Sequence, residues 1–202
     1  PAPEATDARA ALAREAARAD LARFIAACFY EPGPEFAEER LFESVAEAAA
    51  VVDTALLPAA RRLGQAFAEA ALEDLRVDHA QLFLGPAPAS AQPYASVWLT
   101  GQPQLMQAST VAVQALYAEA GFEVDEQFLD LPDHVAVEWE FLYLLLHQAT
   151  MARVAGDEAA EAAWAARRRR FVDEHLGLWM PPFLAALREH ARMPFYAALG
   201  EL

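Results

Sequence analysis

The sequence predicts an all-α fold, a single-domain helical bundle, on three observations. Apolar residues recur at spacings of three and four along most of the chain. Period-two alternation of the strand kind is nearly absent, and Gly and Pro stand where one apolar stripe ends and the next begins. A chain of 202 residues, 56% hydrophobic, can bury one substantial core, whereas two independent domains would be cramped, so residues 1–202 are expected to form one unit.

The elements follow in order. Leu21, Phe24, Ile25, Cys28 and Phe29 paint one apolar stripe on a first helix, which Glu31-Pro32 ends. Residues 35–55 read as one or two short Ala/Glu-rich helices. Pro58 opens a helix running through Leu63, Phe67, Ala70 and Ala71, and a further turn carries Leu75, His79 and Leu82. It is expected to stop at Gly85-Pro86, with glycine in a left-handed cap and proline unable to continue the ladder. The stretch from Gly85 to Ser96 holds three prolines and is long for a helix connection; long ordered loops are often functional. After Val97-Trp98-Leu99, Pro103 opens a helix with Met106, Val113, Leu116 and Tyr117 inward and Gly121 at its close. Asp130 is the expected N-cap of the next helix, with Pro132 and Asp133 in its first turn, and this helix runs to Gly156. Asp157 caps a successor that carries Trp164 and Phe171 and ends near His175-Leu176-Gly177. Pro181-Pro182 starts another, and Pro194 breaks it before a short turn from Phe195 to Leu199.

Charge narrows the partners. Thirty acidic residues face 15 basic ones, a net charge of -15, and every basic residue is Arg. Nucleic acid is therefore excluded as an expected partner, and a cationic one is favoured, its encounter rate raised more than its final affinity. The only cysteine, Cys28, cannot form an intramolecular disulfide and is expected to be a small buried side chain. The N-terminus lacks the charged start, apolar run and cleavage site of a signal peptide, and no segment approaches about 18 consecutive apolar residues. A cytoplasmic protein without an integral membrane segment is the expectation.

Chemistry concentrates at Asp133-His134-x-x-x-Glu138-x-Glu140, the polar head of a helix otherwise too apolar to face water. His134 and Glu138, at i and i+4, could ligate a metal or share a proton, whereas Glu140 lies about 200° from Glu138 around the helix. As a binding residue in the first turn, Asp133 contributes only about 0.5 to 1 kcal/mol as a dipole partner, so that its loss leaves the chain folded; a structural alternative has Asp133 capping the helix and His134 bonding a nearby carbonyl, and there its loss unfolds the chain. The other histidines, His79, His147, His175 and His190, form no metal signature; serine-nucleophile and phosphate-loop motifs are absent. Arg167 to Arg170 read as a solvated helix face. Leu82, Phe83, Tyr94 and Trp98 surround the proline-rich loop and either anchor it on the core or, with Asp133 and His134, form an apolar groove with an acidic rim.

Those same residues carry a family resemblance. Leu82-Phe83-Leu84-Gly85-Pro86, Pro93-Tyr94-x-Ser96-Val97-Trp98-Leu99, acid-x-Pro132-Asp133-His134, His175-Leu176-x-x-Trp179 and Pro194-Phe195-Tyr196-x-x-Leu199-Gly200-Glu201-Leu202 resemble the TorD/DmsD family, in order and spacing, over residues 75–202. The resemblance implies an all-helical cytoplasmic chaperone for a molybdenum enzyme of the dimethyl-sulfoxide-reductase superfamily. Its implied partner is that enzyme's catalytic subunit and twin-arginine signal peptide, held until cofactor insertion is complete, with no catalysis and no cofactor of its own. It also implies peptide binding at Leu82, Phe83, Pro93, Tyr94, Trp98, Asp133 and His134, a monomer or a domain-swapped homodimer, and further chain beyond Leu202. Position 79 departs from the family, being His where relatives often carry Tyr or Trp, and so does position 95, Ala where an acid is frequent. The first departure exchanges an aromatic contact for a different ring or a hydrogen bond. The rival from another class is a metal-dependent or nucleotide hydrolase built on His134 and Glu138; a purely structural helical subunit is the third reading.

Overall fold

The computed structural model describes residues 3–85, 89–102, 104–125 and 130–202. Among them there is no strand, and the helical stripes resolve into α1 (Pro3–Ala27), α2 (Glu35–Glu38), α3 (Leu41–Val52), α4 (Leu57–Glu69), α5 (Leu72–His79), α6 (Ala95–Thr100), α7 (Ala108–Glu119), α8 (Val135–Val154), α9 (Glu158–Phe171), α10 (Gly177–His190) and α11 (Pro194–Leu199). None is long and apolar enough to cross a membrane.

Helix α8 is the axis of the packing. Its stripe meets α1 on one side, where Ala19 and Ala22 admit Leu146 closely, and α9 on another. Tyr30, just beyond α1, reaches Glu140 near the start of α8, so the two helices run antiparallel. α3 lies against α1, α4 against α3, and α11 against α4. Phe36, Phe42, Phe67 and Phe195 fill that second layer with ring centroids 4.6 to 6.1 Å apart, in tilted and edge-on geometries. Each fully buried ring contributes about 1.5 to 3 kcal/mol. Cys28 is buried as expected, and burial pushes its thiol up to about 12, which leaves it unreactive.

Several boundaries differ from expectation, each for a local reason. α4 ends at Glu69, and Ala70 and Ala71 are extended. α5 does not stop with a glycine cap: it widens into a π-turn, Ala80–Leu84, and Gly85 follows with φ -46 and ψ 163, outside the left-handed region. Pro103 lies outside the described residues. α7 starts at Ala108, where Gln107 and Thr110 form a reciprocal capping box, and that cap leaves Met106 exposed at φ 56 rather than inward. Pro181 and Pro182 do not start a helix. α9, a π-turn at Val172–Leu176, and α10 run on continuously with both prolines inside α10, the widened turn standing just before them. Gly177 closes that turn so tightly that a Cβ there would sit 2.7 Å from the Val172 carbonyl oxygen. α8 begins later than predicted: its N-cap is His134, not Asp130, and Pro132 and Asp133 precede it.

Candidate functional site

The start of α8 is held by the strand-like segment before α6. Tyr94 and His134 form an isolated antiparallel bridge; the Val135 amide donates to the Pro93 carbonyl at 2.7 Å, and the Ala95 amide to the Asp133 carbonyl at 2.9 Å. Asp133 is wholly buried, and its Oδ2 accepts the Ser96 amide at 2.9 Å, in the first turn of α6. The acid predicted to cap α8 thus satisfies an orphan amide of a different helix. His134 does the capping of α8 itself: its Nδ1 accepts the Ala136 amide at 3.2 Å, which assigns the proton of the neutral ring to Nε2. Burial holds the His134 pKa down at about 4, against the opposing pull of Asp130 and Asp133, and His79 adds to the lowering.

Two tyrosines flank that neutral imidazole. The Tyr30 ring is stacked on it at 6.3 Å between centroids, and the Tyr94 ring meets it edge-on at 5.5 Å. Each phenol donates to a carboxylate: Tyr94 to Asp130 Oδ1 at 2.8 Å, Tyr30 to Glu140 Oε1 at 2.9 Å. Burial first, then these carboxylates, raise both tyrosine pKa values, so both hydroxyls remain donors. Asp130 also accepts the Leu131 amide at 2.7 Å, with its side chain one third exposed (33%), and its Oδ2 lies 3.8 Å from His134 Nε2. Glu140 is exposed. The arrangement is a pair of oriented, partly hydrated carboxylates, each held by a tyrosine whose ring packs on one uncharged imidazole, suited to receiving cationic side chains.

Of the residues singled out by sequence, Leu82, Phe83, Pro93, Asp133 and His134 are buried, while Tyr94 and Trp98 are half-buried. Phe83 packs among Phe29, His79, Phe183 and Tyr196. Leu82 lies beneath a polar depression it shares with Glu189 and Arg192. Trp98 donates Nε1 to the Gln92 carbonyl at 2.8 Å, turns its edge to Phe183, and lines a shallow cavity of about 340 Å³ with Ser90, Gln92 and Val97. Tyr94, Asp133 and His134 are therefore brought together, whereas Leu82 and Phe83 belong to the core cluster and to a separate depression. Tyr30 was not read from the sequence; Asp130 was read as a helix cap and Glu140 as part of the polar head, neither as a peptide-binding residue. Glu140 was legible in its angular separation from Glu138, which turns one carboxylate inward and the other outward. His79 replaces the usual aromatic with both kinds of contact: its ring sits edge-on to Phe83 at 4.9 Å, and Nε2 is 3.3 Å from the Phe29 carbonyl oxygen.

His134 and Glu138 do not pair. Glu138 is fully buried, with Oε1 receiving His175 Nε2 at 2.7 Å and Oε2 receiving Trp179 Nε1 at 2.9 Å. Burial raises its pKa, countered by both donors, and the trio ties α8 to the π-turn and to α10. The acid/base pair expected on one face of α8 is thus divided between two separate networks. Among the described residues, no three His, Cys, Asp or Glu side chains converge to hold a metal ion. Arg167 to Arg170 form the surface expected of them: Arg170 pairs with Glu119 and Glu174, Arg168 with Glu15, and Arg167 lies over the Trp164 ring.

Known proteins resemble this chain in sequence and in fold. The family model described as nitrate reductase delta subunit matches residues 38–185. The Tat proofreading chaperone DmsD of Salmonella typhi is 34% identical over 124 residues, 60% of this chain and 53% of that protein. The chaperone protein TorD of Vibrio parahaemolyticus is 28% identical over 129 residues, 64% of this chain and 59% of that one. The matched region thus spans between half and three fifths of the length of these relatives. A crystal structure assigned to redox enzyme maturation in Archaeoglobus fulgidus shares the fold, with a TM-score of 0.56 and 18% identity over 91% of both chains. With its family match covering most of the chain, this protein belongs to the nitrate reductase delta subunit family, that of the TorD and DmsD redox-enzyme maturation chaperones.

Proposed function

We propose that the protein is a cytoplasmic chaperone for a molybdenum-cofactor oxidoreductase of the dimethyl-sulfoxide-reductase superfamily. It binds the twin-arginine signal peptide of that client, or its apoprotein, assisting cofactor insertion and delaying export. The observation that carries this reading is the pair of carboxylates, Asp130 and Glu140, each oriented by a tyrosine that packs on a neutral His134. A guanidinium presents a planar fork of donors that matches a carboxylate, and two such groups meet two adjacent arginines. An uncharged imidazole nearby adds no repulsion.

The residues identified from the sequence then divide their work. Tyr94 and Trp98 offer partly exposed aromatic surface to the peptide. Leu82 and Phe83 belong to the buried core, Pro93 accepts the Val135 amide, and Asp133 and His134 lock α6 to α8 so that Tyr94 and Asp130 stay in register. The name of one relative, Tat proofreading chaperone, agrees with an arginine-reading site. The test is a calorimetric titration with leader peptides of molybdoenzymes encoded beside this protein, each with its Arg-Arg pair intact or changed to Ala-Ala. Binding that requires the pair is expected; no binding to any such leader, or equal binding of the Ala-Ala form, defeats the reading.

A further inference from the structure

A groove not among the residues picked out by sequence runs beside Glu140. Phe122, Val124, Phe141 and Leu144 form its apolar walls, and Glu123 and Glu140 stand on its rim. Its volume is about 270 Å³, below the roughly 300 to 1,000 Å³ of sites that enclose a whole small molecule, so it suits one or two side chains of a polypeptide lying across it. The walls are firm. Phe141 is buried between Tyr117, at 4.5 Å, and Phe171, at 4.9 Å between ring centroids, and Phe122 meets the Phe141 edge at 6.2 Å.

We propose that this groove receives the apolar residues that follow the basic pair of a client peptide, an inference that rests on the peptide-binding reading above. Glu140 makes the link: its carboxylate takes the Tyr30 hydroxyl at the arginine-reading end while its side chain lines the groove. A peptide with arginines at Asp130 and Glu140 therefore carries its neighbouring side chains directly over Phe122 and Leu144. Charge complementarity selects the same occupant. The lining contains acids and no Arg, in a chain of net charge -15, so an apolar segment flanked by cations is favoured and an acidic one is repelled. The depression beside Trp98, the competing seat for those residues, is lined by Ser90, Gln92 and Gln102 and by no carboxylate.

Two synthetic peptides test the proposal: one with an Arg-Arg pair followed by an Ala/Leu stretch, the other with Ser and Gly in place of that stretch. Affinities are measured for the wild type, Leu144→Ser, Val124→Ser and Trp98→Ala, with thermal unfolding as the control for folding. Either groove substitution should weaken the Ala/Leu peptide about tenfold and leave the Ser/Gly peptide unchanged. Unchanged affinity of the Ala/Leu peptide for both folded groove variants overturns the groove while leaving the arginine reading intact. Loss confined to Trp98→Ala overturns it in favour of the other depression, and self-association of the wild type that Val124→Ser abolishes assigns the groove to a second copy of the chain. Failure of the wild type to bind either peptide overturns the parent reading and the groove together.

Discussion

Asp133 illustrates how much one buried carboxylate can be misread from sequence. Its spacing before an apolar helix suggests a cap worth a fraction of a kcal/mol, but the side chain is fully buried and its Oδ2 holds the Ser96 amide of another helix. Asp133→Ala strands that amide in the interior, so equilibrium urea unfolding should show a loss of about 1 to 3 kcal/mol. A loss of only a few tenths would return Asp133 to the role of a solvated dipole partner. His134 yields a pH signature. Its folded pKa, about 4, lies below the ordinary 6.5, so the unfolded chain takes up the proton first. The stability it contributes is fully present above about pH 6.5 and is lost as pH falls toward about 4. His134→Asn keeps an acceptor for the Ala136 amide and does not titrate. Relative to that variant, the wild type should lose roughly 2 to 3 kcal/mol across this window and run parallel to it above pH 7. Parallel curves throughout would contradict a neutral, buried ring. That Asp133 and His134 matter was legible in their position; that Asp133 satisfies the Ser96 amide was not, because Ser96 lies some forty residues away in the chain.

At the scale of elements, the π-turns at Ala80–Leu84 and Val172–Leu176 escaped the sequence pattern, since one widened turn barely shifts a 3.6-residue stripe. The second has a visible purpose in packing. It carries His175 to Glu138 in α8, and Trp179, one turn into α10, completes the network. Glu138→Ala removes the acceptor for two buried donors and should cost about 3 to 5 kcal/mol in urea unfolding. Glu138→Gln, which keeps an oxygen for Trp179, should cost distinctly less. Equal losses for the two substitutions would mean that the oxygen kept for Trp179 adds nothing and that the carboxylate facing His175 alone ties α8 to the π-turn. Pro181 belongs to the same lesson: the expected break is absent because the adjustment is made before it, at the turn that Gly177 closes. The helices with long stripes, α1, α8 and α9, were the most legible; α6, six residues held in place by Asp133, was the least.

The whole molecule concentrates carboxylates against a few aromatic faces. A net charge of -15 would raise the capture rate of any basic partner and make such binding weaken with salt, while specificity would have to come from oriented groups at short range. Charge balance was plain in the composition, but Tyr30 and Tyr94 as orienting donors were not, since Tyr30 and Glu140 lie on different helices' ends and meet only through the antiparallel packing of α1 on α8. Whether Asp130 and Glu140 read a pair of arginines is decided by a thermodynamic cycle. Leader peptides with Arg-Arg or Ala-Ala are titrated against the wild type and against Asp130→Asn/Glu140→Gln, which keeps both tyrosine acceptors and removes both charges. The wild type should prefer Arg-Arg by about tenfold to a hundredfold, and the double variant, equally stable, should no longer distinguish the two peptides. Undiminished preference in the double variant would contradict the account.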